Sequence, residues 1–423
     1  MLPVETPPDY RSPRLLGVFA AWRLQAYGYT LAGGYALFAW YLYRLGVWLL
    51  SNRGMPVYHD FTCAFVAGWL ALHGQIGSIY VAGPFIGAQE AIVGAGHVLF
   101  SNWPYPPTYF LILAPLAILP YLAAFFAWGF TTLLGYVAVI YLIVRQRPAI
   151  AVALASPFAA WNFITGQSGA LTASLIGAAL LNLERRPVLA GIFIGLLTFK
   201  PQWGILIPVA LFAAGQWRTI ASAALTAALL AGLSLLAFGL GPWIDFPGEF
   251  SAQADLNLFA TSARWGLSQS PYGLLRFLNG STSVAWLGQG LITLGVAAII
   301  WLVWRSRVRY ALKAATLSAA ALIASPYAFA YDLTAIAVPV AFLATDQIDR
   351  GLLRGEQAIL LLLFVASLAV FLSAGRAPIG APILLLVLWL IVRRALVSPE
   401  GRRRAVLAKQ SRKVRVSRLK SHA

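Results

Sequence analysis

Pro104-Tyr105-Pro106-Pro107-Thr108-Tyr109-Phe110-Leu111-Ile112-Leu113-Ala114-Pro115-Leu116-Ala117-Ile118-Leu119-Pro120 decides how this chain is laid out. The stretch is apolar enough to suggest a membrane span, yet prolines open it, interrupt it at Pro115 and close it at Pro120. An interior proline removes a helix hydrogen bond and clashes with the preceding turn. We read residues 104–119 as a short helix lying in or dipping into the membrane surface, not crossing it. A full crossing would send the next apolar run the other way and deliver Arg145 and Arg147 to the side that otherwise lacks basic residues.

Working outward, apolar residues make up 60% of the 423 and charged ones only 10%, with a mean hydropathy of +0.76. A soluble domain is about half apolar and a quarter charged. The fold class is therefore an all-α polytopic membrane protein. Apolar runs long enough to be spans fall near 27–48, 121–144, 149–163, 169–183, 187–199, 203–216, 219–239, 286–304, 311–325, 332–345, 357–373 and 379–395. This makes about 12 transmembrane helices (range 10–13) in one domain over 1–395, followed by a basic tail over 396–423. Residues 1–15 are polar and Pro-rich, and no small-residue cleavage site follows the first apolar run, so that run reads as a retained span.

Charge sets the orientation. Segments 1–26, 145–148, 184–186, 216–218, 305–313, 346–356 and 393–423 hold 25 of the 31 Lys/Arg. By the positive-inside rule these face the cytoplasm, and both termini with them. The opposite face keeps Arg53, Lys200, Arg264, Arg276 and Arg376, with Arg44 near the outer end of the first span. Residues 393–423 alone carry eleven Lys/Arg against Glu400. A basic tail directly after a span fits anionic lipid at the cytoplasmic face better than nucleic acid, so the net charge of +18 does not argue for a nucleic-acid partner. The single cysteine, Cys63, leaves no intrachain disulfide and no Cys-based metal site. His59, His73, His97 and His422 show no ligand spacing, and no metal site is expected.

The outer face owns two long loops, about 51–104 and 240–285. In the first, residues 60–73 place aromatic and small side chains at helical spacing, as an interfacial helix does, and 84–96 resembles a second. The unusual polar residues of the chain converge on this face: Asp60 with His59 before it, Tyr105, Gln167 in a Gly-Gln turn, Lys200, Gln269 and Ser270, and Tyr327, Tyr331 and Asp332 after Ser325-Pro326. Each has an ordinary alternative: a solvated loop acid for Asp60, a tight turn for Gly166-Gln167, snorkelling for Lys200, a helix cap for Asp332, loop polars for Gln269 and Ser270. As a set, ionisable groups at the hydrocarbon edge suggest a functional site. A lone carboxylate suits deprotonation of a hydroxyl, and a cation with donors suits a phosphate. No phosphate-loop or dinucleotide motif is present, so group transfer on the outer face requires a donor carried on lipid.

The ordered set Asp60-Phe61, Ala67-Gly68, Gly74…Tyr80, Tyr105-Pro106-Pro107, Pro115-Leu116…Leu119-Pro120, Gly166-Gln167, Ala190-Gly191…Gly195, Lys200-Pro201, Gln269-Ser270…Gly273…Arg276 and Ser325-Pro326 resembles the GT-C glycosyltransferases of family 87, which use polyprenyl-phosphate sugars. The resemblance spans roughly residues 55–345. It implies a GT-C-type fold and transfer of a hexose, with mannose expected, from polyprenyl phosphate to a hydroxyl of a lipid or glycan acceptor, with inversion and without a cofactor. It implies Asp60 as general base, Lys200 with Tyr105 and Gln167 at the donor phosphate and sugar, and Gln269 and Ser270 lining the cleft. Relatives often carry Trp and His after Ser-Pro; here the chain reads Tyr327-Ala328-Phe329-Ala330-Tyr331-Asp332, so Tyr331 or Asp332 takes the His role or the role is absent. A bacterial inner-membrane location with the site facing outward follows from the same reading. A lipid or oligosaccharide flippase, expected to show paired halves or mid-span charges, and a non-catalytic assembly protein are the alternatives.

Overall fold

The computed structural model describes residues 20–45, 59–94, 103–248, 267–373 and 376–397. The basic tail beyond Val397, the start of the chain, Tyr58 and residues 249–266 of the second outer loop lie outside the described residues, as does the side chain of His59. The helices run α1 (Ala21–Arg44), α2 (His59–Leu72), α3 (Ala82–Val93), α4 (Phe110–Leu116), α5 (Tyr121–Val144), α6 (Pro148–Leu154), α7 (Pro157–Thr165), α8 (Gly169–Asn182) and α9 (Pro187–Gly195). They continue with α10 (Ile207–Ala213), α11 (Trp217–Phe238), α12 (Pro271–Phe277), α13 (Thr282–Trp304), α14 (Tyr310–Ala324), α15 (Ala337–Arg350), α16 (Glu356–Leu372) and α17 (Gly380–Val397). Among the described residues there is no β-strand, only an isolated antiparallel bridge between Ser268 and Phe329.

Among the described residues the apolar runs of the sequence fall on helices and the turns that join them. Four helices, α5, α11, α13 and α17, are long and apolar enough to cross a membrane, and a fifth span results if α6 and α7 count as one helix bent by 53°. The bend sits where Ser156 takes an extended conformation, accepts a hydrogen bond from Ala159 N–H and precedes Pro157 at the first helical position. The remaining helices are shorter except α1, which at 24 residues is long enough but, with its tyrosines and glycines, is not apolar enough to count among them.

The proline-rich stretch folds as a 3-10 turn, Pro107–Tyr109, leading into α4, which contains Pro115. Ten residues at about 1.5 Å each give roughly 15 Å, half the hydrocarbon thickness of a bilayer. Helix α4 instead packs against α2. A Cβ on Gly68 would stand 2.3 Å from the carbonyl oxygen of Leu113, so only glycine allows this approach. A second close crossing joins α9 to α11 through Gly191 and Gly195, where added Cβ atoms would meet Ser222 Oγ at 2.4 Å and Thr226 Cβ at 2.5 Å. This small-xxx-small spacing lets backbones approach, and Ser222 Oγ donates to the Val188 carbonyl at 2.6 Å.

Two ionic clusters lie at opposite ends of α14, whose 15 residues span about 22 Å. At its start, Arg309 pairs with Asp346 at 3.0 Å and with Asp349. Fully buried Arg394 there binds Asp346 at 2.8 Å and Glu356 at 2.7 Å, and donates to the Gly351 carbonyl at 3.0 Å. Glu356 also accepts from Gln347 Nε2 and from Leu353 N–H. Burying charges costs several kcal/mol per ion unless each is paired and hydrogen-bonded; here every buried charge has an ionic partner, and Glu356 Oε1 is the one buried carboxylate oxygen of the network without a hydrogen bond among the described residues. At the other end of α14 sits the second cluster.

Candidate active site

Lys200 lies at a break. Helix α9 tightens into a 3-10 turn, Leu196–Phe199, and a second, Pro201–Gly204, follows. A residue before proline is pushed out of the helical region, and Lys200 accordingly sits at φ −136°, ψ 72°. The residue is buried, 2% exposed. Lys200 Nζ donates to Asp332 Oδ1 at 2.9 Å, and the ammonium stands 5.1 Å from the ring centre of Tyr331 and 6.0 Å from that of Tyr105.

Asp332 opens the 3-10 turn Asp332–Ile336. Its Oδ2 accepts from Phe329 N–H at 3.1 Å, while its own N–H donates to the Phe329 carbonyl at 3.0 Å. That reciprocal pair folds residues 329–332 into a fixed turn. Ser270 holds the turn from behind: its hydroxyl donates to the Pro326 carbonyl at 2.6 Å and accepts from Gly273 N–H at 3.0 Å as cap of α12. Gln269 donates its N–H to the Ala328 carbonyl at 2.7 Å, and its Oε1 accepts from Gly380 N–H at 2.9 Å at the start of α17.

Asp60 occupies the first turn of α2, and Phe61 fixes that turn. The Phe61 ring packs edge-on to Tyr121 and Phe125, with centroids at 5.3 and 5.1 Å. A Cβ on Gly166 would lie 2.6 Å from Phe61 Cβ, and Gly166 adopts φ +64° to close α7. The side chain of the next residue, Gln167, faces the Asp60 carboxylate. Burial pushes the Asp60 carboxyl up to about 6; the Gln167 amide and the Lys200 charge pull it down, and the Asp332 charge pushes it up. Asp60 nevertheless keeps part of its surface accessible, as do Tyr105, Gln167 and Tyr331. Four half-buried side chains therefore rim a buried ion pair.

Burial holds the phenols of Tyr105 and Tyr331 well above the usual phenol range, and the neighbouring Tyr105 pushes Tyr331 up further. They remain neutral hydrogen-bonding groups at physiological pH. Tyr105 also packs on Trp103 and Tyr109, with ring centres 4.8 and 5.2 Å away.

Six of the residues singled out in the sequence thus come together: Asp60, Tyr105, Gln167, Lys200, Tyr331 and Asp332. Gln269 and Ser270 stand behind the 325–332 turn with their polar groups engaged in it, in α12 and in α17. Tyr327 lies in the same turn, half-buried, and His59 begins α2. Sequence reasoning missed Asn162, whose carbonyl accepts from Gln167 N–H at 3.1 Å and whose Oδ1 accepts from Ala170 N–H at 3.2 Å. Asn162 is the only amide side chain within α7, and that was the available signal. Among the described residues no three His, Cys, Asp or Glu gather as a metal would require.

An all-helical, membrane-type fold with a carboxylate, a cation and hydroxyl groups gathered in one place has the makings of a membrane-embedded transferase. A family model described as Glycosyltransferase family 87 matches residues 103–326, more than half of the chain. The chain belongs to glycosyltransferase family 87, and it is a membrane glycosyltransferase. The match includes Tyr105, Gln167, Lys200, Gln269 and Ser270 and stops before Tyr327; Asp60 precedes it. No curated protein and no solved structure matches the chain.

Proposed function

We propose that this glycosyltransferase moves a hexose, mannose in the first instance, from a polyprenyl-phosphate carrier to a hydroxyl of a lipid or glycan acceptor at the outer face of a bacterial inner membrane. The observation that carries the reading is the meeting of Asp60 with Lys200: a carboxyl tuned to about 6 beside a buried ammonium that donates only one hydrogen bond, to Asp332, among the described residues. An ammonium has three donors. The remaining two suit oxygens of a phosphate.

In the reaction, the Asp60 carboxylate takes the proton of the acceptor hydroxyl as that oxygen attacks C1 of the sugar. The C1–O bond to phosphate breaks, the lipid phosphate leaves with the bonding pair, and the anomeric configuration inverts. A base whose pKa lies near the working pH serves best in such a step. Lys200 and the Tyr105 and Tyr331 hydroxyls meet the charge developing on the departing phosphate, and fixed donors in a water-poor site act strongly there. The lipid-linked sugar is a co-substrate; the step calls for no cofactor and no resident metal.

The same reading takes residues 1–395 as one GT-C-type domain of about 12 crossings (range 10–13), with both termini in the cytoplasm by the charge pattern and the 396–423 tail on anionic lipid. Purified protein incubated with radiolabelled polyprenyl-phosphate sugars and total membrane lipid is expected to yield a labelled lipid or glycan. Failure with every sugar would overturn the reading. Lys200→Ala is expected to raise donor KM at least tenfold; an unchanged KM would remove Lys200 from the phosphate.

A further inference from the structure

We infer that Asp332 is a positioning residue: clamped by Phe329 N–H, it holds Lys200 in place and takes up part of its charge, so that the neighbouring Asp60 stays a competent base. This deepens, and rests on, the reading of the site as a transferase centre with Asp60 as base.

The geometry is specific. One cation, Lys200, serves two carboxylates. Asp332 owns it directly at 2.9 Å, with both carboxylate oxygens engaged, one by the ammonium and one by a backbone N–H. The pair is almost wholly removed from solvent, each side chain 3% exposed. Asp60 has no such direct bond to Lys200; its carboxylate faces the Gln167 amide and senses both Lys200 and Asp332 through space. The groups facing Asp60 are Gln167 from the turn before α8, Lys200 from the break after α9, Asp332 and Tyr331 from the turn before α15, Tyr105 from the proline-rich stretch and Cys63 on its own helix.

Consider the site without Asp332. An unneutralised buried ammonium beside Asp60 favours its ionised form, and an opposite charge within a few ångströms lowers a carboxyl by about one to three units. Asp60 would ionise readily but become a feeble proton acceptor. Asp332 opposes that pull. The same arithmetic makes Lys200 the shared partner of any phosphate that enters: the anion competes with Asp332 for the ammonium, and the added negative charge raises Asp60 further, readying it for the acceptor's proton. Asp332 itself need touch neither sugar nor hydroxyl.

A probe that needs no substrate tests this. A hydrophobic carbodiimide adds across its C=N bond to a protonated carboxyl, and peptide mass spectrometry reads the extent at Asp60 as a function of pH in the full-length protein. Wild type is expected to show a labelling midpoint near 6. Asp332→Asn should lower the midpoint by about one pH unit, a tenfold change in protonation, and Asp332→Glu should restore it. A folded Asp332→Asn protein with an unmoved midpoint overturns the proposal, because a purely structural role changes yield and not titration. Should Asp332→Asn fail to accumulate, Lys200→Gln decides: the midpoint should rise by at least one unit, and no rise overturns the proposal equally. In parallel, the acid limb of kcat/KM for polyprenyl-phosphate-mannose should move down in Asp332→Asn by the same interval. If wild type transfers no sugar, the donor assignment fails, while the labelling midpoints still decide what Asp332 does.

Discussion

At the scale of single residues, the site is an exercise in placing charge where water is scarce. Asp60, Lys200 and Asp332 were each conspicuous in the sequence, because an acid or a lysine at the edge of an apolar run needs a reason to be there. What the sequence could not show is their pairing: Lys200 and Asp332 are 132 positions apart, and nothing in the spacing of either names the other. Gln269 and Ser270 stood out for the same polarity, yet their groups are engaged in turn and cap bonds, a role indistinguishable from substrate contact until the partners are known. The raised carboxyl of Asp60 has a direct consequence. The group works ionised, so activity should be lost as pH falls through about 6, with kcat/KM declining about tenfold per unit below that value. A profile flat down to pH 4.5 would contradict the assignment of Asp60 as base.

At the scale of elements, the prolines and glycines were the most legible part of the chain. The stretch from Pro104 to Pro120 reads as a short helix and folds as one, since Pro107 can start a helix and Pro115 and Pro120 limit it. The apolar runs likewise land on helices, because a membrane helix must satisfy its own backbone and declares itself by composition. The sequence placed Lys200 in a turn between two apolar runs; less legible was the form of that turn, a 3-10 turn on either side of the lysine. The α9–α11 crossing also waited for coordinates: Gly191 and Gly195 look like any small residues until Ser222 and Thr226 are found against them. Gly191→Leu should force these helices apart at an overpacking cost of about 1–3 kcal/mol. The expected outcome is a lower Tm in detergent together with weakened transfer, since α9 carries Lys200 at its end. An unchanged Tm would mean that the crossing does not hold the helices.

At the scale of the whole molecule, two buried charge clusters about 22 Å apart bracket α14, and they do different work. The Lys200–Asp332 end keeps half-buried donors and a tuned carboxyl around its ion pair. The Arg394 end is closed: Asp346, Glu356, Gln347 and backbone carbonyls surround a guanidinium with no exposed surface. Arg394→Met should leave Asp346 and Glu356 buried with less countercharge, destabilising the fold by about 3–5 kcal/mol, seen as a lower Tm without a shift in the pH profile of any remaining activity. From the charge bias of the loops the sequence expects Lys200 and Arg394 on opposite faces; it could not say that one cluster is sealed and the other rimmed by accessible groups. The central claim is that Asp60 removes the acceptor's proton during sugar transfer from a lipid phosphate. The most direct test is transfer of radiolabelled sugar from polyprenyl-phosphate-mannose in membranes holding equal amounts of wild type and Asp60→Asn. Loss of about 10²–10⁴-fold in rate with donor binding retained is the predicted result, and an Asp60→Asn protein that transfers at the wild-type rate would contradict it.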